Sequence, residues 1–101
     1  MELIGKEILD AFNQKHSDAR SHIDAWEAEI KDLVWKSPHD LKAHFPKASL
    51  VGNKQVVFNI YGNNYRLWVK VAYNNGVVFV KNIGTHKEYE KWEIKFDIWT
   101  T

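Results

Sequence analysis

Tyr65-Arg66-Leu67-Trp68-Val69-Lys70-Val71-Ala72-Tyr73-Asn74-Asn75-Gly76-Val77-Val78-Phe79-Val80-Lys81-Asn82-Ile83 is the stretch on which the fold turns. Two runs rich in β-branched and aromatic residues flank Asn-Asn-Gly. Such runs fit a pleated, half-buried surface, and Asn-Gly tolerates the positive φ of a tight hairpin turn. A hairpin is therefore predicted, with strands over Tyr65–Tyr73 and Val77–Ile83. Side chains alternate faces along a strand. Tyr65, Leu67, Val69, Val71 and Tyr73 fall on one side and look like the core face. Arg66, Trp68, Lys70 and Ala72 fall on the other. A two-residue turn, at Asn74-Asn75 or Asn75-Gly76, places Val77, Phe79, Lys81 and Ile83 on the Arg66 side.

Working outward, Gln55–Tyr61 reads as a third strand, joined to the hairpin through Gly62-Asn63-Asn64. Upstream the hydrophobic period changes from two to about 3.6. Glu2–Ile4 suits a short first strand. Gly5–His16 suits a helix with Ile8, Leu9 and Phe12 inward. A second helix starts after Ser17 or Asp18, either able to cap it, with a stripe of Ile23, Trp26, Ile30, Leu33 and Val34. Ser37-Pro38-His39-Asp40 opens a short third helix, Ser37 capping and Pro38 sitting where no N–H is needed; Pro46 stops it after Phe45. Thr85-His86-Lys87-Glu88 has the form of a capping box opening a short helix to about Trp92, and a last strand is placed at Ile94–Trp99. Helices followed by a meander give the α+β class: N-terminal helices packed on a small antiparallel sheet, with a short C-terminal helix. One domain over residues 1–101 is expected.

The net charge of +1 conceals a strong asymmetry. Residues 1–40 hold five basic and nine acidic side chains, giving −4. Residues 41–87 hold seven basic side chains and no acid, giving +7. Residues 88–101 return −2. A long acid-free stretch points to a polyanionic partner. Cysteine is absent, so disulfides and thiolate metal sites are excluded. Met1–Glu7 lacks the basic-then-apolar pattern of a secretory signal, and no apolar run approaches the length of a membrane span. A cytoplasmic protein with no membrane association is expected.

Arg66, Lys70 and Lys81 gather on one sheet face beside Trp68 and Phe79. Cations that follow phosphates, with rings that stack on unpaired bases, are what single-stranded RNA recognition uses. Read as structure alone, the same rings pack under a helix and the lysines keep the sheet soluble. His86 and Tyr89 lie three apart, on one face of the last helix. A neutral imidazole serves as a base near pH 7, and a phenol can pass on a proton. Arg66 presents a fork suited to a phosphate. Those parts suffice for RNA cleavage by attack of a 2′-hydroxyl. Nothing suggests a metal: the acid-free stretch lacks carboxylates, and His39 and His44, five apart, point to different helix faces. No cofactor motif is present. The plainer reading keeps His86 as an exposed first-turn residue and Tyr89 as a core ring.

Phe58-Asn59-Ile60-Tyr61-Gly62-Asn63-Asn64-Tyr65-Arg66-Leu67, followed by Gly84-Thr85-His86-Lys87-Glu88-Tyr89, resembles the HigB family of bacterial toxins within the RelE superfamily. The likeness covers essentially the whole chain, including the Leu41–Pro46 segment. It implies an mRNA endonuclease that acts on the translating ribosome and inhibits translation. It also implies a HigA-type antitoxin carrying a helix-turn-helix domain, with operator DNA reached only through that antitoxin. It implies that Arg66 stabilises the phosphate, that His86 and Tyr89 occupy the C-terminal catalytic positions, and that Lys81 and Lys87 contact phosphates. Some relatives use a glutamate on a central strand; residues 41–87 offer none, and position 68 is Trp where some relatives are basic. A mechanism led by Lys81 or Lys87 therefore stays open beside His86, as does a non-catalytic RNA- or ribosome-binding module on the same face.

Overall fold

The computed structural model describes residues 1–92; the strand expected at Ile94–Trp99 lies outside them. The elements run β1 (Glu2–Ile4), α1 (Lys6–Lys15), a 3-10 turn (Ser17–Ala19), α2 (Arg20–Asp32), α3 (Pro38–His44), β2 (Ser49–Gly52), β3 (Gln55–Ile60), β4 (Tyr65–Ala72), β5 (Val77–Thr85) and α4 (His86–Tyr89). Five strands form one sheet in the order β1-β5-β4-β3-β2. Every pairing is antiparallel except β1 with β5, which is parallel. The α+β class and the helix–meander order match the sequence reading.

Helices α1 and α2 cover one sheet face. Leu9, Phe12, Ile23, Trp26 and Ile30 meet Phe58, Leu67, Val69, Val71 and Val80 there. Burial alternates strictly along β4, as the period-two pattern requires. Gly5 permits the turn from β1 into α1: its φ is +96°, and a Cβ there would stand 3.0 Å from the Val80 carbonyl oxygen.

Three local expectations are corrected. Neither Ser17 nor Asp18 caps α2; a 3-10 turn leads into it, and the Asp18 carboxylate instead accepts the Tyr65 hydroxyl hydrogen bond. The apolar stripe stops short of Val34, which is 71% exposed, because α2 ends at Asp32 and Leu33 is already extended. The β4–β5 turn is four residues, Tyr73–Gly76, between paired Ala72 and Val77, and of these only Gly76 takes positive φ. By contrast Ser37 accepts from the Asp40 amide and Pro38 opens α3, as the sequence indicates.

The correction with consequences lies in β5. Val80 pairs with Val69 and Asn82 with Trp68, so Lys81 is an extra residue, a β-bulge. Past it, every β5 side chain changes face. Ile83 therefore joins the core opposite Leu67 instead of the Arg66 side, and Gly84 stands opposite Arg66. The bulge thus puts the one residue without a side chain beside the arginine and starts α4 immediately after it.

Candidate active site

Arg66 projects from β4 on the face away from the core and is half-buried. Its Nη1 donates to the Asn63 carbonyl oxygen at 2.9 Å and to that of Tyr65 at 3.3 Å. Its guanidinium carbon lies 5.7 Å from the centroid of the Tyr89 ring. No ion pair among the described residues includes Arg66. The carbonyls orient the fork without cancelling its charge, so the site keeps a net cation for an incoming anion.

Tyr89 reaches that position because α4 is held at both ends. At its start, Thr85 Oγ1 accepts from the Glu88 amide at 3.1 Å and Glu88 Oε1 accepts from the Thr85 amide at 2.8 Å, a complete capping box. The Thr85 backbone N–H, then the Thr85 hydroxyl, holds the Glu88 carboxyl below the usual carboxylate range, with modest burial opposing them. The His86 amide donates to the Asn64 carbonyl at 3.3 Å, tying α4 to the β3–β4 turn. At its end, Trp92 packs edge-on to Tyr89 at 5.7 Å and tilted against Trp68 at 6.0 Å. Gly84 leaves room for this: an added Cβ would meet Trp92 at 3.0 Å and Glu88 Oε1 at 3.1 Å.

His86 lies with its ring centroid 6.3 Å from that of Tyr89. Its Nε2 is 3.1 Å from Glu90 Oε1, a contact that its i,i+4 spacing permits. Arg66, Tyr89 and His86 are thus brought together, each within one side-chain length of the next. Lys70 lies half-buried on β4 beside Phe79; Lys81 is exposed at the bulge, and Lys87 is exposed on α4. None of the three is ion-paired among the described residues. Trp68 is half-buried, and its indole N–H donates to Gln55 at 3.0 Å. Its place is under Trp92, where it supports α4.

Sequence reasoning missed the supports. Asn63 and Asn64 read only as turn residues, yet their carbonyls seat Arg66 and the start of α4. Glu90 went unnoticed although its spacing from His86 signals the pair.

The family model described as HigB_toxin, RelE-like toxic component of a toxin–antitoxin system, matches residues 19–92, which include the β3–β4 turn, Arg66 and α4. The chain belongs to the HigB toxin family. As a member it is the toxic half of a two-part system and has an antitoxin partner. It is 29% identical over 92 residues to the mRNA interferase toxin HigB of Escherichia coli K12, covering 89% of this chain and 88% of that one. The same identity and coverage hold for the mRNA interferase HigB of Shigella flexneri. The namesake from Escherichia coli O6:H1 is 27% identical over 93 residues, 90% of each chain. No helix among the described residues of this HigB-family toxin is long and apolar enough to cross a membrane.

Proposed function

We propose that this HigB-family toxin is an mRNA interferase, an endoribonuclease that cuts messages on the translating ribosome and so stops translation. One observation carries the reading: an arginine held by two carbonyls, with no carboxylate partner among the described residues, lies against a tyrosine and one helical turn from a histidine. The names of its relatives, mRNA interferases, support it.

The chemistry follows from the parts. His86 accepts the proton of a 2′-hydroxyl. The oxygen attacks the adjacent phosphorus, the bond to the 5′-oxygen breaks, and a 2′,3′-cyclic phosphate forms. Arg66 bears the charge that develops on the phosphoryl oxygens. Tyr89, under the guanidinium, passes a proton to the departing 5′-oxygen. Lys70, Lys81 and Lys87 border the strand's path as phosphate contacts. Trp68 serves by keeping α4 in place. Every step uses a side chain of this set, and none calls for a metal or a cofactor. The domain spans residues 1–101 and works in the cytoplasm, where a HigA-type helix-turn-helix antitoxin neutralises it and carries it to operator DNA.

The test is product chemistry on translating ribosomes. A cyclic or 3′-phosphate end, lost in Arg66→Ala while folding persists, is expected. A 3′-hydroxyl end rejects 2′-OH attack. Growth arrest that persists in Arg66→Ala, and disappears only when Lys70 and Lys81 are both neutralised, assigns the protein to blockade by binding.

A further inference from the structure

Between the β3–β4 turn and the loop that joins α3 to β2 lies a cleft of about 430 Å³. It borders the proposed catalytic cluster through two neighbours of Arg66. Asn63, on its rim, supplies the carbonyl that seats Arg66. Asn59, also on its rim, pairs with Arg66 across the β3–β4 ladder, and directly opposed residues keep their side chains on one face within about 5 Å. A nucleotide whose phosphate meets Arg66 therefore has this cleft beside it.

The lining has a definite chemistry. Half-buried Phe45 supplies apolar ring surface, and buried Phe58 packs edge-on behind it at 5.1 Å. Trp35 backs Phe45 from the protein side at 5.8 Å, so the ring is held in position rather than free to turn. Asn59 and Asn63 are exposed on the rim, and each carboxamide offers donors and an acceptor. Lys47 adds a cation, and no carboxylate among the described residues lines the cleft. The lining His44 is engaged by Glu29 at 3.1 Å. A fixed ring, two amides and a cation beside a phosphate site fit an unpaired base, which is read by stacking and by hydrogen bonds to its edge. The volume lies within the range of small-ligand pockets.

We propose that this cleft receives one of the two nucleobases joined by the scissile phosphodiester, and thereby sets which sequences are cut. The proposal rests on the nuclease reading above and adds a subsite to it. Cleavage positions are mapped on a pool of transcripts with the unaltered toxin, Asn59→Ala and Phe45→Leu. The unaltered toxin is expected to favour certain bases at one flanking position. In both variants the preferred sequences should be cut about tenfold more slowly, approaching the rate on the others, so that the preference flattens. An unchanged preference, or an equal loss on every sequence, overturns the proposal. Arg66→Ala separates the two readings, because it removes the phosphate contact and leaves the cleft. Titrated with nucleoside monophosphates and followed by amide NMR, it should show shifts at Asn59 and Asn63 that Phe45→Leu weakens. Shifts absent from these residues sink the subsite, whether or not the protein cuts RNA; an unaltered toxin that cuts nothing while these shifts persist sinks the nuclease reading alone.

Discussion

Gly84 and Trp92 lie so close that a single methyl group on Gly84 would stand 3.0 Å from Cζ2 of the indole and 3.2 Å from Cβ of Glu88. Gly84 is also the residue paired with Arg66. This close approach therefore joins β5, the neighbour of the strand bearing Arg66, to the segment that carries Tyr89 and His86. A helix of four residues has little stability of its own, since isolated helices shorter than roughly 12 residues are marginal in water. Its position depends on this contact, the capping box and the Trp68–Trp92 packing.

Gly84→Ala should accordingly damage activity far more than stability. The added Cβ meets the indole and a carboxylate-bearing stem, so α4 must move by some tenths of an ångström or more, and Tyr89 moves with it. Cleavage should fall at least about tenfold, because small displacements of positioned groups are costly. The melting temperature should drop only a few degrees, the core on the other face being untouched. Full activity in the variant would mean that the placement of α4 is irrelevant to the chemistry.

Arg66→Lys keeps the charge and removes the fork. Both Arg66 hydrogen bonds go to backbone carbonyls on a half-buried face, so stability by urea titration should change by less than about 0.5 kcal/mol. Single-turnover cleavage should fall on the order of 10²-fold, since a point-charge ammonium does not reproduce two parallel hydrogen bonds to a phosphate. A lysine variant that cuts at the original rate would show that charge alone is used.

Much of this arrangement was readable in the sequence, and what was not has physical causes. The faces of β4 follow from period-two alternation, which placed Arg66 outside and Leu67 inside. The caps at Ser37 and Thr85 are local chemistry between residues three apart, and both formed. The bulge at Lys81 left no such trace: the run from Val77 to Ile83 alternates adequately in either register, and only packing Ile83 into the core chooses between them. Strand β2 was missed because Ser49–Gly52 is four residues long and ends at Gly52, where φ is +87°. Asp18 did not cap α2 because a buried tyrosine distant in sequence competes for its carboxylate, and long-range competition of that kind is invisible to local rules. The cleft beside Asn63 is likewise assembled from segments far apart in the chain.

The capping box should give α4 an acid limit. Glu88 is held below the usual carboxylate range chiefly by the Thr85 backbone N–H. A carboxyl with a depressed folded pKa contributes stability that is present above its unfolded value, near 4.3. That stability is lost as pH falls through the folded value. The protection of the Thr85 and Glu88 amides, corrected for the intrinsic exchange rate at each pH, should therefore be high at neutral pH and should fall as pH drops below about 4, ahead of that of the core strands. Glu88→Gln should remove this acid dependence and cost about 1 kcal/mol or less of local protection at pH 7. Identical exchange profiles for the variant and the parent at all pH values would contradict the role assigned to the carboxylate.

Tyr65 gives the converse case, a group that matters at the alkaline end. Its hydroxyl donates to the Asp18 carboxylate, with oxygens at 2.9 and 2.8 Å, and joins the turn before α2 to the strand bearing Arg66. Burial first, and then the Asp18 carboxylate, raises its pKa above the usual tyrosine value. A raised folded pKa means that this contribution is complete below the unfolded value, near 10, and is lost as pH climbs through the folded one. Tyr65→Phe removes the donor but leaves an exposed carboxylate that water can serve, so the loss at pH 7 should be about 1 kcal/mol, at the low end for a charge-assisted bond. Asp18→Asn should cost a similar amount, and the double variant scarcely more than either single one, because both remove the same contact. Above about pH 10 the gap between Tyr65→Phe and the parent should close, as the parent's phenol ionises beside Asp18 and loses what the phenylalanine never had. Urea titrations of the four proteins at pH 7 and pH 10.5 measure both effects; strictly additive losses would mean that the hydroxyl and the carboxylate act independently, each on some other neighbour.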